Sequence, residues 1–146
     1  MRNIKIRLAQ IEDAEAISDL IIQLGYDSHT DDCKKFIETM ATQDLNKIFV
    51  ASNEEKIYGF IHLHVVNNII CETHCEILAL ITDQSCRSQG IGRLLLDSAE
   101  KWSREHDLDT IKVNSNIIRT RAHQFYLSKG FELKKTQHYF IKKMIN

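Results

Sequence analysis

Residues Ile77–Glu100 read ILALITDQSCRSQGIGRLLLDSAE, and this stretch decides the fold. It opens as an apolar run, crosses the polar turn Arg87-Ser88-Gln89-Gly90-Ile91-Gly92, and continues as an amphipathic helix. Two glycines so close together let the backbone approach a ligand, since neither carries a Cβ. The helix behind them points its unpaired N–H groups and positive dipole end back at the turn. A strand feeding such a turn and helix suits an anion, most often a phosphate. The residues after the turn exclude two common phosphate motifs. A P-loop requires Gly-Lys-Ser/Thr, and here Arg93 and Leu94 come after Gly92; a dinucleotide fingerprint requires a third glycine where Leu95 stands.

Upstream, Lys47–Ser52 and Lys56–Val66 read as strands joined through Asn53-Glu54-Glu55. A turn at Asn67-Asn68 leads to a strand over Cys75–Thr82. Strict alternation sets Ile61, Leu63 and Val65 against Phe60, His62 and His64, and expects Glu76, Leu78, Leu80 and Thr82 on one face. An opening strand, Lys5–Ala9, precedes a helix over Asp13–Leu24, whose apolar residues recur at helical spacing and which Gly25 ends. Ser28 or Thr30 is expected to cap a second helix, running to Thr42, with Phe36, Ile37 and Met40 as its apolar face. Downstream, the helix over Gly90–His106 is expected to bury Ile91, Leu94, Leu95, Ala99 and Trp102. A strand over Thr110–Asn114, a helix over Arg119–Lys129 closed by Gly130, and a β-hairpin from Phe131–Leu133 and His138–Met144 complete the chain. The pattern predicts one α+β domain over residues 1–146, a central mixed twisted sheet flanked by about four helices.

Hydrophobic content of 43% and charged content of 27% are those of a soluble globular protein, so a packed core is expected. A net charge of −1 points away from nucleic acid. No apolar run approaches bilayer length and no secretory signal is visible, so neither a membrane nor export is expected. Cys33, Cys71, Cys75 and Cys86 lack CxxC spacing and read as reduced thiols of a cytoplasmic protein. His62, His64, Cys71, His74 and Cys75 lie close in sequence without zinc spacing, so no metal is expected.

The Arg-x-x-Gly-x-Gly turn sits within CEILALITDQSCRSQGIGRLLLDSAEKW, Cys75–Trp102. Together with RTRAHQFYLSKGFE (Arg119–Glu132), IFVASNEEKIYGFIHL (Ile48–Leu63) and RLAQIEDAEAI (Arg7–Ile17), this resembles the GNAT superfamily of acetyl-CoA-dependent N-acetyltransferases over nearly the whole chain. The wording Arg119-x-x-Ala122-His123-x-Phe125-Tyr126 is close to small-molecule-acetylating branches, aminoglycoside-modifying enzymes among them. The resemblance implies transfer of an acetyl group from acetyl-CoA to a primary amine of a small molecule or peptide, by direct attack in a ternary complex. Main-chain groups of Leu80, Ile81 and Thr82 would pair with the pantetheine arm. The N–H groups of Arg87, Ser88, Gln89, Gly90, Ile91 and Gly92, with Arg93, would hold the pyrophosphate. Arg87 would add a charge-assisted contact, although a solvated surface arginine fits the same sequence.

An alkyl amine with a pKa near ~10.4 is neutral in roughly one molecule in 2,500 at pH 7, so attack benefits from a base. Glu76 matches the family's catalytic glutamate, with Glu72, His62 and His64 in reserve; an exposed strand glutamate would look the same. Tyr126 matches the family's proton donor to the coenzyme sulfur, and a core aromatic beside Phe125 would look the same. One position departs from the pattern: many members carry asparagine where this chain has Arg119. Asn114 or Asn116 would then contact the pantetheine arm, and Arg119 would reach a coenzyme phosphate or stay at the surface. His123 reads as a packed or solvated helix residue. The acceptor pocket is expected from Leu24–Met40, where Asp27, Asp31, Asp32 and Glu38 favour a cationic acceptor. A non-catalytic acyl-CoA sensor is the alternative function, a partner-binding domain without CoA a third, and a homodimer is left open.

Overall fold

Strands form where the alternating apolar segments find neighbours in sequence order. The computed structural model describes residues 3–145. Its sheet runs β1 (Lys5–Leu8), β2 (Asn46–Ser52), β3 (Ile57–Val66), β4 (His74–Thr82) and β5 (Ile111–Val113) in that spatial order. Pairing is antiparallel up to β4 and parallel between β4 and β5. The helices are α1 (Ala14–Gln23), α2 (Thr30–Ala41), α3 (Ile91–Glu105) and α4 (Thr120–Ser128). Five strands in a mixed sheet with four helices match the expected α+β class. The described residues fall into two compact units, divided between Asn114 and Ser115.

In the first unit one sheet face carries Ile48, Val50, Phe60 and Ile81, packed with Ala14, Ile17 and Leu20 of α1 and Ile37 and Met40 of α2. The opposite face receives α3. There Gly59 has no room for a side chain, since a Cβ would lie 2.8 Å from the Ile81 carbonyl oxygen and 3.2 Å from both Ile91 Cγ2 and Leu95 Cδ1. The buried stripe of α3 comprises Ile91, Leu95, Leu96, Ala99 and Trp102. Leu94 is exposed instead, because Leu96 rather than Leu94 completes the stripe.

Gly25 ends α1 as expected, with φ +102°, and Gly25 N–H and Tyr26 N–H close on Ile22 and Ile21 carbonyls. The expected α2 cap is absent. The N-cap is His29, whose side chain makes no capping bond, and Thr30 already lies inside the helix. Ser28 Oγ instead accepts from Ser18 Oγ at 2.9 Å, which ties the loop to α1.

The start of α1 is held by a two-point ion pair. Arg7 donates from Nη1 and Nη2 to Asp13 Oδ2 and Oδ1 at 2.7 and 2.9 Å, and Gln10 N–H donates to Asp13 Oδ2 at 2.8 Å. Burial by itself would raise the Asp13 carboxyl; the Arg7 hydrogen bonds, the Gln10 N–H and the Arg7 charge outweigh it and hold the group below the ordinary carboxylate value. A depressed carboxylate stabilises the fold above its unfolded pKa, and that stabilisation is lost as pH falls through the folded value. Asp13→Asn is therefore expected to lower stability by about 1 kcal/mol at pH 7, with the half-exposed Arg7 keeping the effect modest. Thermal melts should show the gap between the two proteins narrowing from about pH 4 downward.

The second unit contains α4, whose end repeats the α1 device: Gly130 has φ +92°, and Gly130 and Phe131 N–H groups close on Leu127 and Tyr126 carbonyls. The expected closing hairpin does not form among the described residues, where 131–145 contain no strand. Tyr139 and Phe140 are 88% and 89% exposed. Strand-like composition supplies no pairing by itself, and the connection Lys134-Lys135-Thr136-Gln137 has none of the residues that turn a hairpin.

Candidate active site

The path from β4 into α3 forms the turn and helix start at which the sequence places an anion. Asp83 ends β4 and pins the turn: its N–H donates to the Tyr58 carbonyl at 2.8 Å, and its Oδ1 accepts from Ser85 N–H and Oγ at 2.9 and 2.8 Å. Lys56 Nζ donates to Asp83 Oδ2 at 3.0 Å. Burial would raise Asp83, and the Ser85 and Lys56 hydrogen bonds bring it below the usual carboxylate value. On the other side Gln84 N–H donates to Gln23 Oε1 at 3.0 Å, and Gln84 Nε2 to the Gln23 carbonyl at 3.2 Å. The turn is thus clamped to the β2–β3 hairpin and to α1. Neither clamp was expected from sequence, although Asp-x-Ser is a recognisable side-chain turn signal.

Beyond the clamp the backbone bends back on itself, with φ +65° at Ser88 and +87° at Gly90. Gly90 is the N-cap of α3 and makes no side-chain capping bond; no acidic residue stands in the first turn. The first helical hydrogen bond runs from Leu94 N–H to the Gly90 carbonyl, at 3.1 Å. The N–H groups of Gly90, Ile91, Gly92 and Arg93 therefore precede the helical ladder, and exposed Arg87 and Arg93 flank them. A helix start whose N-cap residue and first turn bring no carboxylate is suited to an external anion.

The strand before the turn carries a second feature. β5 pairs with β4 only over Cys75–Ile77, so among the described residues no strand covers that edge of Leu80, Ile81 and Thr82. Backbone groups there are open to a ligand that brings its own amides, as a pantetheine arm does. Asn114 is exposed directly after β5.

Glu76 sits elsewhere than strict alternation places it. The β3–β4 register steps from Leu63↔Ile77 to His62↔Ala79, which leaves Leu78 unpaired as a bulge. One extra residue reverses the side-chain phase, so Glu76 shares its face with Ala79 and Ile81, while Leu80 and Thr82 lie on the α3 face. Glu76 therefore belongs to the side covered by α1 and α2. Across that side Asn46, His64, Glu76 and Lys112 are successive register partners on β2, β3, β4 and β5. Glu76 is half-buried, and His74 Nε2 stands 4.0 Å from its Oε1.

The other histidines differ sharply. His62 Nε2 is 2.6 Å from Asn46 Oδ1, an acceptor, so Nε2 carries the proton. Burial, and then the neighbouring His64, lower its pKa to about 4. His62 is thus held neutral, with its Nε2–H engaged by Asn46. His64 has a buried Nδ1 without a partner among the described residues. Glu72, the remaining reserve base, is exposed and accepts from Thr110 Oγ1 at 2.9 Å.

In the second unit Tyr126 is half-buried, with edge-on contacts to the rings of Phe125 and Phe131 at 5.5 and 5.3 Å. Burial raises its phenol above the ordinary value, so it keeps its proton at neutral pH. Asn116 Oδ1 accepts from Ile118 N–H at 3.1 Å, and its carbonyl accepts from Arg119 N–H at 3.0 Å and His123 Nε2 at 2.8 Å. Asn116 thus shapes the entry to α4, for which Arg119 is the N-cap.

The acetyltransferase (GNAT) family profile matches residues 14–131, most of the chain. The chain belongs to the GNAT family. Membership places this GNAT protein among acyltransferases, as the sequence motifs implied. It is 40% identical over 62 residues to the uncharacterized N-acetyltransferase YhdJ of Bacillus subtilis, a match spanning 42% of this chain and 44% of that protein. It is 28% identical over 134 residues to aminoalkylphosphonate N-acetyltransferase of Salmonella typhimurium, spanning 88% and 84%. The fold is shared with AAC(6')-Iy in complex with a bisubstrate analogue, CoA-S-monomethyl-acetylneamine. That likeness has a TM-score of 0.84 at 17% identity, and covers 97% of this GNAT chain and 99% of the other. No group of three His, Cys, Asp or Glu side chains among the described residues is placed to hold a metal, and no described helix is long and apolar enough to cross a membrane.

Proposed function

We propose that this GNAT protein moves an acetyl group from acetyl-CoA to a primary amine of a small molecule, working as one catalytic domain across residues 1–146. The observation that carries the reading is the glycine-started α3 N-terminus at Gly90–Arg93, with no acidic residue in its first turn, one turn after the β4 edge that no strand covers among the described residues. The first feature suits the coenzyme pyrophosphate and the second its pantetheine amides, with Leu80–Thr82, Arg87–Arg93 and Asn114 as the contacts. From the family pattern Asn116 and Arg119 would support the same ligand, although Asn116 already has hydrogen bonds within its own turn. The four free cysteines fit a cytoplasmic location.

The chemistry then rests on two side chains. The acceptor ammonium gives one proton to Glu76, directly or through a water. The amine lone pair forms the C–N bond at the thioester carbon, and the C–S bond breaks as the tetrahedral intermediate collapses. The Tyr126 hydroxyl protonates the departing sulfur and recovers its proton from the acetylated nitrogen by way of solvent. A small acceptor is favoured because the relative matching most of both chains acetylates aminoalkylphosphonates by name. A peptide amine is the second acceptor class, and acidic Asp31, Asp32 and Glu38 on α2 suit a cationic group in either.

Calorimetry with acetyl-CoA, followed by a thiol-release screen over aminoalkylphosphonates, polyamines, aminoglycosides, amino acids and peptides, tests the proposal. Coenzyme binding with turnover of a primary amine is expected. Binding without turnover of any acceptor would favour the sensor, and no binding would remove both readings.

A further inference from the structure

A carboxylate is a weak base toward an alkylammonium, and what stands behind Glu76 bears on how it works. His74 is 3% exposed and lies two residues before Glu76 on the same strand, hence on the same face. Its Nδ1 lies 3.1 Å from the Glu72 carbonyl oxygen. A carbonyl can only accept, so Nδ1 carries the proton and the neutral ring keeps its lone pair on Nε2. That lone pair is on the atom 4.0 Å from Glu76 Oε1. The neighbouring groups leave this tautomer in place: Cys71 Sγ, 3.9 Å from Nδ1, donates to Asn68 Oδ1 at 3.4 Å. His64 and Lys112 flank Glu76 in register. Among the described residues His74 is the imidazole within ion-pair distance of the Glu76 carboxylate.

We propose that His74 is the proton acceptor behind Glu76, so that a carboxylate–imidazole pair, and not the carboxylate alone, deprotonates the acceptor amine. The inference rests on the acetyltransferase reading and on Glu76 as its base. The acceptor ammonium loses a proton to Glu76, whose half-buried side chain rotates to close the 4.0 Å to His74, and the resulting carboxyl O–H passes the proton to His74 Nε2. Glu76 returns to a carboxylate facing an imidazolium, whose Nδ1–H is already held by the Glu72 carbonyl. The proton then leaves to solvent by the same carboxylate after the acetylated product departs. In ordinary values an imidazole outranks a carboxylate as a proton acceptor by roughly two pKa units, so the second transfer draws the first forward. The charge formed in a buried place is balanced by Glu76, which meets the condition for burying a charge. His74 acts through Glu76 and is a positioning residue.

The test uses the full-length protein and the best primary amine from the acceptor screen. His74→Ala is expected to lower kcat roughly 10- to 100-fold while acetyl-CoA affinity and acceptor KM stay within about twofold. Added imidazole should restore much of the lost kcat in this variant, and pyrazole, equal in shape but far less basic, should not. His74→Gln, which keeps volume and a hydrogen-bonding end but cannot take up a proton, should be as slow as His74→Ala and should melt close to wild type. An unchanged kcat, wild-type turnover in His74→Gln, equal rescue by both azoles or rescue by neither would overturn the relay. Wild-type protein that turns over no amine in the screen would overturn the acetyltransferase reading itself, a result separable from all of these.

Discussion

Changing Tyr126 to phenylalanine is expected to slow acetyl transfer by roughly 10²–10⁴-fold while leaving acetyl-CoA binding nearly unchanged. In the proposed mechanism the departing group is a thiolate, and the hydroxyl is the single group the substitution removes. Burial raises the Tyr126 phenol, so the proton needed by the sulfur is present throughout the neutral range. The ring keeps its edge-on contacts to Phe125 and Phe131, and α4 keeps its Gly130 end, so stability should change little. A thiol-release assay at saturating acceptor, beside calorimetry with acetyl-CoA, separates the two effects. If kcat stays within about twofold, the thiolate departs without help from Tyr126. A matched loss of coenzyme affinity would instead make the phenol a binding group.

The strand–turn–helix from β4 into α3 was legible in the sequence because its signals are local. Two glycines, an apolar strand before them and a helical stripe after them specify Gly90 as the α3 N-cap whatever the rest of the chain does. The bulge at Leu78 is not local. It exists only in the register between β3 and β4, and no residue of ILALIT announces it. Yet it moves Glu76 from the face of α3 to that of α1 and α2, which changes the side chains a base there would meet. The same reason hides the environment of His62, whose Nε2–H reaches Asn46 Oδ1, sixteen positions away on the neighbouring strand. Helix ends divide in the same way. Gly25 and Gly130 act through backbone freedom that glycine carries anywhere, whereas the Ser28 cap failed because Ser18, ten positions away, captured its hydroxyl.

Replacing Glu76 with glutamine should produce the other large loss, again roughly 10²–10⁴-fold in kcat, because an amide of the same shape cannot accept the ammonium proton. The position lies away from both features that would hold the coenzyme. Glu76 shares its face with Ala79 and Ile81, while the Gly90–Arg93 N–H groups start a helix packed on the opposite face. Acetyl-CoA affinity should therefore remain within about twofold, which a fold-wide disturbance would not allow. Among the described residues the nearest cation-capable neighbour of this half-buried carboxylate is His74 at 4.0 Å, too far for a hydrogen bond on which the strand would depend. Glu76→Gln should accordingly melt near the wild type. The two substitutions also differ in how they respond to pH. The deficit from Glu76→Gln should shrink as pH rises toward the acceptor's own pKa near ~10, where the amine arrives already neutral and needs no base. The deficit from Tyr126→Phe should persist across the neutral range, since the sulfur requires its proton however the amine lost its own. Parallel pH–kcat profiles of the two variants would show that both groups act in one step, contrary to the separate roles assigned to them.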